Sequence, residues 1–164
     1  MKIDDFSKLY VHELKDLYSA ESQILDALPK LIERATDSGL IEALTAHMKE
    51  TRTHVSRIRT LFETLDFEPG GHKCKGMEGL LKEGSELLDE VTDDHVRDAA
   101  IIGSCQRVEH YEIAAYGVAR AFARKLGRDD DVTALTKTIE EEGHADRKLT
   151  ELAERHINFV AQVN

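Results

Sequence analysis

Acidic residues and histidines fall at helical spacing among leucines in four places along this chain. Glu21 lies between Leu17 and Ile24, and His47, Glu50 and His54 lie between Leu44 and Ile58. Glu109 and Glu112 follow Cys105 and Val108, and Glu142 and Asp146 separate Ile139 from Leu149. Residues three or four apart share a helix face, so each set sits on or beside an apolar seam. Carboxylate and imidazole donors in such positions are the chemistry of a site for hard or borderline divalent metals.

The spacing of the carboxylates repeats. Glu50 follows Glu21 by 29 residues, and Glu142 follows Glu112 by 30. In an antiparallel hairpin, such separations bring both carboxylates of a pair to one level. Four carboxylates at one level repel each other and lose hydration, a large cost unless something opposite compensates it. No Lys or Arg shares the seam beside them, so bound divalent cations are the expected compensation. The alternative is that these side chains lie on seam flanks and reach solvent. The known bundle solution uses one Glu from each of two helices and Glu-x-x-His from each of the other two. Glu141-x-x-His144 fits that spacing, while the seam favours Glu142 with Asp146. On the second helix the pair is Glu50 with His54, or His47 with Glu50 in reverse order.

The elements that must position these groups are long helices. The first is predicted from about Ser7 to Asp37 on the line Leu14, Leu17, Ile24, Leu28 and Leu31, with Asp5 or Ser7 as its cap, Gly39 as its stop and Pro29 as a kink or break. The second runs from about Leu40 to Leu65, and Asp66 to Gly76 reads as a loop. A short amphipathic helix is expected over Met77 to Val91. A third long helix follows the capping run Thr92, Asp93 and Asp94 and ends near Leu126-Gly127. The fourth starts after the acidic turn Arg128 to Asp131 and runs toward Ile157. Two hairpins joined by one long connection carrying a short extra helix make an all-α, four-helix bundle with one crossover, the arrangement of ferritin-like folds. No linker or low-complexity segment divides residues 1–164, which read as one domain.

Composition removes several function classes. A formal charge of −10, with 22 basic residues interspersed among 32 acidic ones, argues against nucleic acid as a partner. No apolar run is long enough to span a membrane. The start lacks a secretory apolar region, so the expected compartment is cytoplasmic. Two cysteines, Cys74 and Cys105, form neither a disulfide framework nor a four-thiolate site. His72 with Cys74 offers only half a zinc site, and Cys105 reads as a small buried hydrophobe. Tyr18, one turn before Glu21, and Tyr116, one turn after Glu112, either hydrogen-bond a ligand carboxylate or pack their rings with the hydroxyl at the rim. His110 is turned to another face and reads as an interhelical or subunit contact.

At Tyr18-Ser-Ala-Glu21, His47-Met-Lys-Glu50-Thr51, Met77-Glu-Gly-Leu-Leu81 and Val108-Glu-His-Tyr-Glu-Ile-Ala-Ala-Tyr-Gly117, the chain resembles the YciF-like bacterial stress proteins, a branch of the ferritin-like superfamily. Cys74 and Ile139-Glu-Glu-Glu142 extend the likeness over nearly the whole chain. The resemblance implies a homodimeric bundle with a di-iron-type centre. Carried over by position, it implies Glu21, Glu50, Glu112 and Glu142 as metal ligands, supported by Glu109, His54 and Asp146. The expected cofactors are two iron or manganese ions, and the expected partners are small oxygen species or the metal ions themselves. The function so implied is stress defence through peroxide, dioxygen or iron handling. The alternative is a non-catalytic structural or interaction bundle with an empty or vestigial site.

Overall fold

In a computed structural model, residues 2–163 are described, and they form six α-helices and one π-helical turn. These are α1 (Phe6–Arg34), α2 (Ser38–Phe62), α3 (Lys75–Glu90), α4 (Asp94–Lys125), α5 (Asp129–Leu152), the π turn (Ala153–Ile157) and α6 (Asn158–Val163). The helix starts are capped by side chains that accept otherwise unpaired backbone N–H groups. Asp5 accepts from Lys8 N, Asp37 from Leu40 N, and Asp93 from both His95 N and Val96 N. Cys74 takes the same role at α3, where its thiol accepts from Met77 N.

Several sequence-based boundaries move. Gly39 does not stop the first helix: α1 ends at Arg34, and Gly39 lies in the first turn of α2. There its missing side chain leaves room for Leu152 Cδ2, which a Cβ would meet at 3.1 Å. Pro29 neither breaks nor splits α1, which continues through it. α2 ends at Phe62 rather than Leu65. The acidic run Asp129 to Asp131 is not a turn before α5 but its first turn, where negative charge suits the positive end of the helix dipole. The three-residue joint before it, Leu126 to Arg128, turns at Gly127, φ +68°.

α1 packs along α2 and α4 along α5, and contacts of α1 with α4 and of α2 with α5 close the bundle. α3 lies across α4 and α1 and so covers that face. The core is divided along its length. One apolar cluster contains Ile24, Leu28, Leu44, Cys105, Val108 and Leu149, and the other contains Leu14, Leu17, Ile58, Tyr116, Ala119 and Leu135. Every long helix contributes to both clusters, and the histidines and glutamates lie between them. Among the described residues, no helix is long and apolar enough to cross a membrane.

Candidate metal centre

The division of the core fixes the level of the site. α1 brings Glu21, α2 brings His47 and His54, α4 brings Glu109 and Glu112, and α5 brings Glu142. None of these side chains is more than 8% exposed. They form two groups whose donor atoms lie within 4.8 Å of one another: His47, Glu109, Glu112 and Glu142 in one, and Glu21, His54 and Glu142 in the other. Glu142 belongs to both.

The internal contacts do not satisfy these groups. His47 Nε2 lies 3.3 Å from Glu109 Oε1, and His54 Nδ1 lies 2.8 Å from Glu142 Oε1 and 3.4 Å from Glu21 Oε1. The His54 Nδ1 contacts lack the alignment of a hydrogen bond, and that nitrogen has no hydrogen-bond partner. Also without partners are Glu21 Oε2, His47 Nδ1, Glu109 Oε2, and both carboxylate oxygens of Glu112 and of Glu142. A buried polar atom left unpaired costs about 1–3 kcal/mol, more for a charged group. A divalent cation in each group would draw on these atoms at once, so the donor set fits a pair of metal ions. No Lys or Arg pairs with any of the six side chains among the ion pairs of the described residues.

The surrounding groups orient the donors. His54 turns its other ring nitrogen, Nε2, toward Glu141 Oε2 at 3.1 Å, and Arg57 holds that carboxylate through Nη1 at 2.7 Å. A carboxylate behind an imidazole fixes the ring and its tautomer, which is the common arrangement around metal-bound histidine. Tyr116 donates its hydroxyl to Glu21 Oε1.

Electrostatics follows burial. Loss of hydration, together with the neighbouring carboxylates, pushes Glu109 and Glu112 well above the usual carboxylate range. Glu21 is also raised by burial, against the opposing effect of His54. Burial acts to raise Glu142 too, but the adjacent His54 outweighs it and holds the group below its ordinary value. Burial alone would lower His54; its interactions with Glu142 and Glu21 win and push it up to about 10. His47 is lowered, chiefly by burial. In the absence of metal the cage therefore holds protons, which metal would displace.

Of the residues singled out by sequence, Glu21, His54, Glu109, Glu112 and Glu142 come together in these groups, while Glu50 and Asp146 do not. At about 100° per residue, His47, Thr51 and His54 share one narrow face of α2, and Glu50 is turned about 60° from His47 on the side away from Thr51. Thr51 is accordingly fully buried and Glu50 half-buried. Asp146 is half-buried and accepts from Gln106 Nε2 at 2.9 Å, with His110 Nε2 at 3.4 Å. The alternative pair separates: Glu141 stands behind His54, and His144 is exposed. Tyr18 does not reach a cage carboxylate, because its hydroxyl accepts from Arg59 at 2.7 Å. Tyr116 does, although its partner is Glu21 across the bundle rather than Glu112 on its own helix. His47, read from sequence only as a reversed partner of Glu50, is a full member of one group.

The family described as "Domain of unknown function (DUF892)" matches residues 5–162 of this chain. Protein YciF of Escherichia coli (strain K12) is 38% identical over 163 residues, covering 99% of this chain and 98% of YciF. The crystal structure of the E. coli stress protein YciF superposes with a TM-score of 0.89 at 39% identity, over 94% of this chain and 98% of that one. YcfI from Rhodopseudomonas palustris superposes with a TM-score of 0.88 at 44% identity, over 91% and 95% of the two chains. A two-domain protein of Anabaena variabilis, containing dj-1/thij/pfpi-like and ferritin-like domains, matches at 16% identity with a TM-score of 0.62, over 91% of this chain and 37% of that one. That last likeness bears on the fold alone.

Proposed function

This chain belongs to the DUF892 family, and from that premise we propose that it is a ferritin-like two-metal protein of iron or manganese, acting on peroxide, dioxygen or iron itself in stress defence. One observation carries the reading: buried donor atoms from all four long helices lack hydrogen-bond partners and are arranged as two groups sharing Glu142. Similarity to a stress protein supports the physiological setting.

In this reading Glu21 and His54 would hold one ion and His47, Glu109 and Glu112 the other, with Glu142 a member of both groups. When bound, the metal pair supplies one-electron redox chemistry and a Lewis-acid seat for a small oxygen species. The chain's own part is positional. Arg57 and Glu141 fix the His54 ring, and Tyr116 steadies Glu21. The two apolar clusters above and below exclude bulk water, and Glu109 and Glu112 give up their protons as the site fills. The protein acts as a cytoplasmic homodimer in this proposal, and light scattering at the mass of two chains is the expected result.

Metal analysis tests the reading. Protein purified without chelator, or reconstituted with iron or manganese, should carry two equivalents per chain. A Glu112→Ala, Glu142→Ala variant should carry less than a tenth of that. Wild-type protein that refuses both metals, or a double variant that loads like wild type, would sink it. What would then remain is a bundle whose buried carboxyls stay protonated and serve structure alone.

A further inference from the structure

Two openings lead to the donor cage from opposite faces of the bundle, and both end on the same two side chains, His47 and Glu109. The first, roughly 420 Å³, lies between α2 and α5. Its rim carries the exposed Glu42, His144, Arg147, Lys148 and Glu151, and half-buried Glu50 stands between rim and floor. The second, roughly 510 Å³, lies between α1, α3 and α4. Its walls include Ile24, Leu28, Leu31, Leu80, Leu81 and Val108.

The lining of the second opening also includes Asp26, Glu33, Glu78 and Ser104, but its surface is more apolar than that of the first, so a hydrated divalent ion crossing it gives up more of its water without replacement. The first opening supplies oxygen and imidazole donors at each depth. Its floor independently points to a cation: Glu109 is 2% and His47 7% exposed, and Glu109 Oε2 and His47 Nδ1 both lack partners. Glu50 is close enough for its charge to act on the His47 ring, and it lies one helical turn from both His47 and His54. Arg147 and Lys148 on the rim offset part of the acidic charge there, so capture falls to the carboxylate nearest the floor.

We propose that divalent metal ions reach the cage through the α2–α5 cleft, and that Glu50 is the capture residue that passes them to His47 and Glu109. Glu50 keeps part of its hydration at the half-buried level. It can therefore exchange one water of an incoming ion for a carboxylate oxygen at little cost and release the ion to donors with no other partner. The inference rests on the two-metal reading, and it concerns the rate of loading rather than the final occupancy.

Stopped-flow mixing of metal-free full-length protein with Mn²⁺ alone, followed by metal analysis at equilibrium, tests it. Glu50→Gln should slow loading by about tenfold and flatten its dependence on ionic strength, as expected when a steering charge is removed, while two equivalents are still bound at equilibrium. Glu33→Gln, the same charge change beside the apolar opening, and Ala27→Phe, which narrows that opening, should load at the wild-type rate. A Glu50→Gln protein that loads at the wild-type rate overturns the proposal. So does one that loses an equivalent at equilibrium, because Glu50 would then be a resident ligand. Slow loading in Ala27→Phe would move the route to the other face. Failure of the wild-type protein to bind metal would instead overturn the functional reading itself, and the route with it.

Discussion

Asp98 and Glu112 are both carboxylates on α4, both at most 2% exposed, and roughly 21 Å apart along the helix axis. Asp98 accepts from Thr36 N at 2.8 Å, Thr36 Oγ1 at 2.7 Å and Asp37 N at 2.8 Å, and so ties α4 to the joint between α1 and α2. Glu112 accepts from nothing: both its oxygens are buried and unpartnered. The same helix thus buries one acid that the chain has fully provided for and one that it has not. Burial of an acid is therefore uninformative by itself. The donors around it decide whether the group closes a joint or waits for a cation.

Substitutions at the two positions should move stability in opposite directions. Asp98→Ala removes the acceptor of three donors at a closed joint, and should cost about 3 kcal/mol in the denaturant unfolding of metal-free protein. Glu112→Leu replaces an unpaired polar group by a similar apolar volume, and should raise metal-free stability by about 1–2 kcal/mol while abolishing full metal occupancy. If the leucine variant is destabilised as much as the Asp98 variant, the distinction between the two acids collapses.

The smallest effect is a pH slope. Glu21, Glu109 and Glu112 are held above their unfolded values, and His54 is raised to about 10. The folded, metal-free chain therefore binds more protons than the unfolded one, above about pH 4.5 through the carboxyls and above about pH 6.5 through His54. Stability from these groups is present at low pH and drains away as pH rises through the folded values. His47 and Glu142, shifted downward, act oppositely but only on acidification, below about pH 6.5 and 4.5 respectively. The unfolding midpoint of chelated protein should thus fall between pH 7 and pH 9, by up to about 1.4 kcal/mol per pH unit for each excess proton. Manganese-loaded protein, its donors already deprotonated, should not show that fall. A chelated midpoint that rises over this range would contradict the protonated cage.

The four long helices, the crossover helix and most of the donor cage were legible in the sequence because helical phase is a local property. Glu21, Glu112 and Glu142 occupy slots that leucine would otherwise fill, and all three are fully buried. Other placements depend on a neighbouring helix or on a small phase difference. Glu50 and His47 are three residues apart, and only the packing of α2 decides which of them faces inward. Tyr18 and Tyr116 each stand one turn from a cage glutamate, yet Tyr18 is drawn outward by Arg59 and Tyr116 reaches across to Glu21. Arg57 was invisible because its target, Glu141, is 84 residues away. Asp98 stands three residues before Ile101 and seven before Cys105 on the same inner line. Its partners are backbone groups of a distant turn, which residue types do not announce.

The π turn at the end of α5 has a bearing on the carboxyl-terminal tail. Leu149, Ala153 and Ile157 are all buried at successive intervals of four residues. In an unbroken α-helix such a row drifts by about 40° per interval. The wider coil, marked by the Asn158 N–H reaching Ala153 O, removes that drift and keeps all three side chains on the bundle. Deleting one residue between Ala153 and Ile157 would restore ordinary winding without turning what lies beyond it, because the Asn158 N–H would then meet Ala153 O as its ordinary four-residue partner. Phe159 and Val163, turned to solvent at 65% and 62% exposure, would stay on that face. The extra amino acid is thus absorbed within one coil, and the last six residues of helix keep the bearing they would have without it.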